Sequence, residues 1–176
     1  ASSGGLAFLR EDREDNLHAI AVWNVDSVAQ IAGLRGHTDT VTGLALTRVG
    51  TRLFSTSIDG TLRLWDVAAG TGEILYDAGV AINDMAYAEE SGRIALGLAN
   101  GDVVLLSLDT GATLSGEVTY LAHGGAVNAV IFNPAGTVLF TGGADTTVQA
   151  WDTTAILGGA DPEALVTLDG HSENIS

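Results

Sequence analysis

The chain has 176 residues, of which 46% are hydrophobic, with 23 Gly, 2 Pro and no Cys. Without Cys, the chain has no disulfides, no thiolate nucleophile and no Cys-based zinc or iron–sulfur centre. The 22 acidic residues outweigh 7 basic ones and give a net charge of −15. That charge repels phosphate backbones, so no nucleic-acid partner is expected.

No stretch approaches the roughly 18 uncharged apolar residues that a membrane span needs, so we expect a soluble chain without a membrane span. The sequence begins without an initiator Met and without the apolar core of a signal peptide, which indicates a processed or excised piece. The localisation therefore stays open between a cytoplasmic and an extracytoplasmic compartment.

Short stretches of alternating apolar and polar residues, separated by Gly-containing turns, predict strands along the whole chain. In chain order these strands cover 6–9, 17–25, 29–34, 41–47, 52–56, 61–66, 73–77, 82–87, 93–98, 103–108, 118–121, 127–133, 138–142, 147–152 and 164–168. The run of charges at 10–15 is expected to be a solvated loop rather than a docking patch. Residues 155–163 are expected to be an enlarged loop.

A pair of matched spacings shows that the chain repeats itself. Gly36-His37 opens the first copy and His123 the second, and Trp-Asp closes both, with 28 residues from His37 to Trp65 and again from His123 to Trp151. An Asp lies in a turn six residues before the Trp in both copies. Two spacings held together predict an internal repeat, which sets the fold.

The same period extends over nearly all of the chain. Trp23 lies 42 residues before Trp65, Leu106 follows Trp65 after 41, and Trp151 follows Leu106 after 45. These steps are close to the repeat length of about 40–45 residues known for four-stranded propeller blades. With its Gly-His opening and Trp-Asp close, the sequence resembles the WD40-repeat family.

The resemblance implies an all-β fold, a WD40-like β-propeller fragment of about four antiparallel blades with four strands each. It divides the chain into a flexible segment 1–5, a partial blade 6–35 with strands two to four, a blade 36–77, a degenerate blade 78–121, a blade 122–169 and the first strand of a further blade at 170–176.

A possible catalytic triad requires a second interpretation. His37, Ser55 and Asp59 have the residue types of a Ser-His-Asp triad, but a similar set recurs in the later copy, whereas a nucleophile would occur once. In WD40 proteins the matching residues, with the Trp, form a structural hydrogen-bonded tetrad. The resemblance implies two such tetrads: His37, Ser55, Asp59, Trp65 and His123, Thr141, Asp145, Trp151.

The repeat at 78–121 lacks these residues. Asp77-Ala78-Gly79 replaces the Gly-His pair, Leu96 replaces the hydroxyl and Leu106 replaces the Trp. We therefore expect this degenerate blade to be held by apolar packing alone. No catalytic residue, metal site or cofactor is expected, since three of the four His belong to repeat openings a blade apart.

The resemblance implies a non-catalytic protein–protein interaction or assembly scaffold. The alternative is a structural subunit or domain of a larger complex whose chemistry lies elsewhere, and a hydrolytic enzyme is the least favoured reading. Loops directly before each first strand are the candidate partner-binding face: Thr40, Ala81, Ala126 and Asn174. Since unpaired strand edges recruit other chains, we expect the blades to be completed by a second copy, as a homodimer of eight blades, or by the remaining blades of a longer parent.

Overall fold

A computed structural model describes residues 5–12, 17–24, 26–109 and 112–175, with side chains described from residue 18 onward. The chain forms two compact units, one ending at Ala81 and the other beginning at Ile82. Each unit contains two antiparallel sheets.

The first unit combines a three-stranded and a four-stranded sheet, each with its strands in chain order. The three-stranded sheet consists of β1 (Gly5–Asp12), β2 (Leu17–Asn24) and β3 (Ala29–His37). The four-stranded sheet consists of β4 (Val41–Leu46), β5 (Arg52–Ser57), β6 (Thr61–Asp66) and β7 (Thr71–Asp77). An apolar core joins the two sheets and is lined by Ile20, Val22, Leu34, Val41, Leu53, Trp65 and Val67.

The second unit repeats the four-stranded pattern twice. Its first sheet consists of β8 (Ile82–Ala88), β9 (Arg93–Leu98), β10 (Asp102–Leu108) and β11 (Leu114–Leu121), with a 3-10 turn at Glu89–Ser91. Its second sheet consists of β12 (Val127–Phe132), β13 (Val138–Gly143), β14 (Val148–Asp152) and β15 (Ala164–Leu168). A five-residue helix, α1 (Thr153–Leu157), connects β14 to β15.

Tight turns join the second and third strands of each four-stranded sheet. Gly60 and Gly101 occupy this turn with φ of +85° and +94°, a left-handed conformation that favours glycine. A Cβ on Gly101 would lie 2.5 Å from the His123 carbonyl oxygen, so close approach also requires glycine there. Thr146 takes the same place in the last sheet with φ of +69°, at the strain cost of a β-branched residue.

Several local predictions were wrong. The strand predicted to end at Leu9 continues to Asp12, which pairs with Leu17, so the first three charges of the 10–15 run lie in β1. Part of the loop expected at 155–163 belongs to α1, because Asp152 caps that helix by accepting from the backbone N–H groups of Thr154 and Ala155.

The chain ends differ from their predicted form where they are described. Of the segment 1–5, expected to be flexible, residues 1–4 lie outside the described residues and Gly5 begins β1. No strand forms over 170–175, the described part of the segment expected to be a first strand. Ile175 nonetheless donates its backbone N–H to the Gly143 carbonyl oxygen at 3.3 Å.

Candidate functional site: two buried hydrogen-bonded tetrads

The first predicted tetrad is brought together by three elements of the first unit. His37 is the last residue of β3, Ser55 lies in β5, Asp59 in the turn that follows β5, and Trp65 in β6. His37 Nδ1 lies 2.9 Å from Asp59 Oδ2, and His37 Nε2 lies 2.7 Å from Ser55 Oγ. Trp65 Nε1 donates to the same Ser55 Oγ at 2.8 Å.

The donor and acceptor inventory of these groups gives the chain a direction. An indole N–H only donates and a carboxylate only accepts, so Ser55 Oγ accepts from Trp65 and Asp59 accepts from His37 Nδ1–H. Neutral His37 then accepts a hydrogen bond from the Ser55 hydroxyl at Nε2, so every polar side-chain group of the tetrad has a partner. Ser55 is fully buried and His37 and Trp65 nearly so, so this complete pairing avoids the cost of orphaned polar groups in the interior.

The second predicted tetrad has the same geometry in the second unit. His123 Nδ1 lies 3.0 Å from Asp145 Oδ1, and His123 Nε2 lies 2.7 Å from Thr141 Oγ1. Trp151 Nε1 donates to Thr141 Oγ1 at 3.0 Å. The structure therefore brings together all eight predicted tetrad residues, four in each unit.

One further residue in each set was missed from the sequence. Thr61 Oγ1 donates to Asp59 Oδ1 at 2.7 Å, and Thr147 Oγ1 donates to Asp145 Oδ1 at 2.8 Å. Both backbone N–H groups also donate to those carboxylates. The signal was present, since a Thr follows the turn Asp by two residues in both copies.

The Asp of each tetrad also fixes the loop that leads into the first strand of its own sheet. Asp59 Oδ2 accepts from the Thr38 N–H at 2.9 Å, and Asp145 Oδ2 accepts from the Gly124 N–H at 2.9 Å. Each carboxylate therefore ties the turn between two strands to the loop that follows its His.

The hydrogen bonds set the charge states of the acidic members. Burial by itself raises the pKa of Asp59, but bonds from Thr61, Thr38 and His37 outweigh it and lower the pKa to about 2. Burial likewise raises the pKa of Asp145, but hydrogen bonds from Thr147, Gly124 and His123 outweigh it and lower the pKa to about 2. Burial lowers the pKa of His37 below its ordinary 6.5, against the opposing effect of Asp59, which favours the neutral ring.

The degenerate blade keeps the apolar replacements fully buried, with Leu96 and Leu106 both at 0% exposure. The expectation that apolar packing alone holds it was wrong. Arg93 Nη1 donates to the Gly136 carbonyl oxygen at 2.7 Å and to Thr153 Oγ1 at 2.8 Å. The backbone N–H of Val130 donates to an Asp84 carboxylate oxygen at 2.9 Å. Polar contacts to the following sheet therefore supplement the packing where a tetrad is missing.

Each residue of the candidate partner-binding face lies directly before a first strand or before Ile175. Thr40 and Ala81 are in the first unit, and Ala126 and Asn174 in the second. The carbonyl oxygens of Thr40 and Ala126 accept from the N–H groups of Ile58 and Ala144 at 2.9 and 2.8 Å. These two loops are thereby tied to the turns that carry the tetrad Asp residues.

Across the part of the chain that the structure describes, no three His, Asp or Glu residues cluster in a way that could hold a metal ion. Among the same residues, no helix is long and apolar enough to cross a membrane.

The described chain forms consecutive antiparallel sheets of three or four strands, and two of these sheets carry a buried tetrad at equivalent positions. This arrangement defines a protein built of propeller blades. The model of the WD domain, G-beta repeat family (WD40) matches residues 28–66 and 116–152. Each match runs from the last strand of one sheet through the Trp-bearing strand of the next. The chain therefore carries WD40 repeats at these two places.

Curated relatives share this likeness over most of the chain. It is 29% identical over 149 residues to zinc finger CCCH domain-containing protein 62 of Arabidopsis thaliana, covering 85% of this chain and 34% of that protein. It is 26% identical to protein groucho of Drosophila melanogaster, covering 76% of this chain and 18% of that protein. The chain thus spans about a third or less of the length of these relatives.

Solved structures show the same fold at lower identity. A chain in the structure titled "Crystal Structure of Mitotic Checkpoint Complex" superposes with a TM-score of 0.76 at 18% identity, covering 99% of this chain and 51% of that chain. The structure of U3-55K gives a TM-score of 0.68 at 20% identity, covering 80% and 42%. The fold is therefore that of WD40 propeller blades.

Proposed function

We propose that this chain is a non-catalytic scaffold for protein–protein interaction or assembly. The observation that supports this function most directly is the double role of the tetrad carboxylates. Asp59 and Asp145 each fix a buried His and also bind the loop that leads to the first strand of their own sheet. Loops held in this way lose little conformational entropy on binding, which favours recognition of a partner.

The same geometry argues against hydrolysis. A nucleophilic Ser needs a free lone pair and access to a substrate carbonyl. Ser55 Oγ is fully buried, accepts from Trp65 and contacts His37, and Thr141 is almost as buried with the equivalent contacts. We infer that both hydroxyls brace their sheets and that the chain is not an enzyme.

The proposed binding surface is the set of loops before the first strands, with Thr40 and Ala81 in one unit and Ala126 and Asn174 in the other. Thr40 and Asn174 are exposed, and the two alanines are partly exposed. The net charge of −15 favours a partner with a basic contact surface.

The test compares capture of partners from the native source by the wild type and by the variants Thr40→Arg and Asn174→Arg. Val49→Arg, on an exposed turn residue outside these loops, is the matched control. Loss of a captured protein with the loop variants but not with the control, at unchanged circular dichroism, supports the binding surface. Capture that all three variants leave unchanged contradicts it.

A structural subunit of a larger complex is the second candidate, since WD40 relatives are much longer than this chain. Mass measurement of native complexes separates the two functions, because a platform exchanges partners and a subunit keeps a fixed stoichiometry. The enzyme reading has its own test, a hydrolytic activity that His37→Ala abolishes while leaving the fold intact.

A further inference from the structure

The turn between β9 and β10 carries an amide where the turns of the tetrad-bearing sheets carry a carboxylate. Asn100 lies six residues before Leu106, the same offset at which the Asp of each tetrad precedes its Trp. Asn100 is exposed and is followed by Gly101, and no other Asn of the chain is followed by Gly. This pair is reactive, because the backbone nitrogen after an Asn is able to attack the side-chain carbonyl carbon, and glycine has no Cβ to shield that nitrogen.

The reaction available to this pair is a ring closure followed by hydrolysis. A bond forms between Gly101 N and Asn100 Cγ, the bond from Cγ to Nδ2 breaks, and ammonia leaves with the proton that Gly101 N gives up. Solvent water then opens the cyclic imide at either of its two carbonyls. One product is aspartate, and the other is isoaspartate, in which the main chain runs through the former side chain.

Asp102 holds the carboxamide of Asn100 in one orientation. A backbone N–H only donates and a carboxylate only accepts, so Asn100 Oδ1 accepts from the Asp102 N–H at 3.1 Å and Asn100 Nδ2 donates to Asp102 Oδ2 at 2.6 Å. The Asp102 N–H therefore faces the oxygen that gains negative charge as Gly101 N adds to Cγ. A donor placed there stabilises that charge and favours the ring closure.

The folded turn nevertheless holds the Gly101 nitrogen away from the amide. The Gly101 N–H donates to the Leu98 carbonyl oxygen at 3.2 Å, and the Gly101 carbonyl oxygen accepts from the N–H groups of Ala122 and His123 at 3.0 and 3.1 Å. Gly101 is buried against residues 122–126, which connect β11 to β12 and which we call the His123 loop. Since ring closure requires Gly101 to move, the nitrogen reaches Cγ only when these contacts with the His123 loop open.

The second tetrad keeps the His123 loop in place. His123 Nδ1 lies 3.0 Å from Asp145 Oδ1, and the Gly124 N–H donates to Asp145 Oδ2 at 2.9 Å. Near the other end of the loop, the Ala126 carbonyl oxygen accepts from the Ala144 N–H at 2.8 Å. Loosening this tetrad therefore loosens the loop that restrains the turn of the preceding sheet.

We propose that Asn100 is a site of spontaneous conversion to aspartate and isoaspartate, protected while the His123 loop is docked and reactive when that loop opens. Isoaspartate adds one methylene to the main chain and displaces Gly101 by about 1.5 Å, the length of a carbon–carbon bond. Hydrogen bonds of 3.0 and 3.1 Å do not survive a displacement of that size. A transient opening of the His123 loop thus becomes permanent.

The rate of conversion in folded protein tests the protection. His123→Ala removes the side chain that anchors the loop, and His37→Ala, the equivalent change in the first unit, is the matched control. Peptide mapping by mass spectrometry follows conversion at Asn100 at mildly alkaline pH, with the urea-unfolded chain as the upper limit. Because the bonds that dock the loop are weakened, conversion in His123→Ala should be roughly tenfold faster than in the wild type, and His37→Ala should match the wild type.

The fold of each variant is checked by circular dichroism, and Asp145→Asn, which keeps the side-chain shape, takes the place of His123→Ala if that variant is unfolded. Equal rates in the wild type and the loosened variant overturn the proposal. So does wild-type conversion as fast as in the unfolded chain, and so does an Asn100 that stays unconverted in every folded variant.

Hydrogen exchange on aged protein measures the consequence for the loop. The His123 N–H should exchange roughly tenfold faster in the isoaspartate fraction than in fresh protein. The Ala78 N–H donates to the Gly60 carbonyl oxygen at 2.9 Å in the equivalent turn of the first unit, and its exchange should not change, because Asp59 has no amide to lose. Asn100→Ser should keep the slow exchange through the same incubation. Isoaspartate at position 100 with unchanged exchange at His123 refutes the coupling.

Discussion

Removing the Ser55 hydroxyl is the sharpest test of the first tetrad. Ser55→Ala deletes the atom that accepts from Trp65 Nε1 at 2.8 Å and contacts His37 Nε2 at 2.7 Å. Both partners are buried, with Trp65 at 1% and His37 at 3% exposure. An orphaned buried polar group costs about 1–3 kcal/mol, so two of them should lower the free energy of unfolding by about 2–6 kcal/mol. That is a large share of the roughly 5–15 kcal/mol typical of a domain.

The assay is urea unfolding followed by far-UV circular dichroism, with Ser172→Ala as the exposed control, expected within about 0.5 kcal/mol of the wild type. A double-mutant cycle with Trp65→Phe isolates the shared bond, since that variant removes the indole N–H. In its background Ser55→Ala should cost less, because only His37 then loses a partner. A Ser55→Ala cost no larger than that of Ser172→Ala, or strict additivity with Trp65→Phe, would refute the proton chain described above.

Three further outcomes are expected. Acid should destabilise the chain in two steps. The pKa of His37 lies below its ordinary 6.5, so the stability that neutral His37 contributes declines as pH falls below about 6.5. The pKa values of Asp59 and Asp145 are about 2 against an ordinary 3.8, so the stability that these carboxylates contribute is lost between about pH 4 and 2. A melting temperature that stays flat from pH 7 to 3 would contradict this. Thr146→Gly should stabilise the turn by about 0.5–1 kcal/mol in urea titration, because glycine adopts the positive φ without strain; a loss of stability would count against it. Arg93→Ala should cost about 1–3 kcal/mol through its lost bonds, and Arg93→Lys should recover part of that cost.

The repeat spacing was enough to predict the WD40 fold, which the family and structural comparisons confirm. The period-2 pattern also placed strand centres well, and 61–66, 93–98 and 164–168 match the observed β6, β9 and β15 to the residue. These features could be predicted from the sequence because a blade is a local unit. Strands that follow each other in the chain pair with each other, and the residues that form the turn between them are only a few positions apart.

Other features depended on partners distant in sequence. The charged residues 10–12 are not strand formers by propensity, but pairing with β2 places them in β1. A helix of five residues is too short to form by itself, and α1 exists because Asp152 caps it and Arg93, some 60 residues earlier, holds Thr153 and Thr154.

The sequence by itself determined the kind of unit, its repeat length and the residues that meet within each blade, since all of these follow from contacts between adjacent strands. Only the tertiary structure decided how the degenerate blade is tied to the following sheet. That depends on the packing of one sheet on the next, and the hydrophobic effect that drives such packing has no direction and leaves no spacing in the sequence to read.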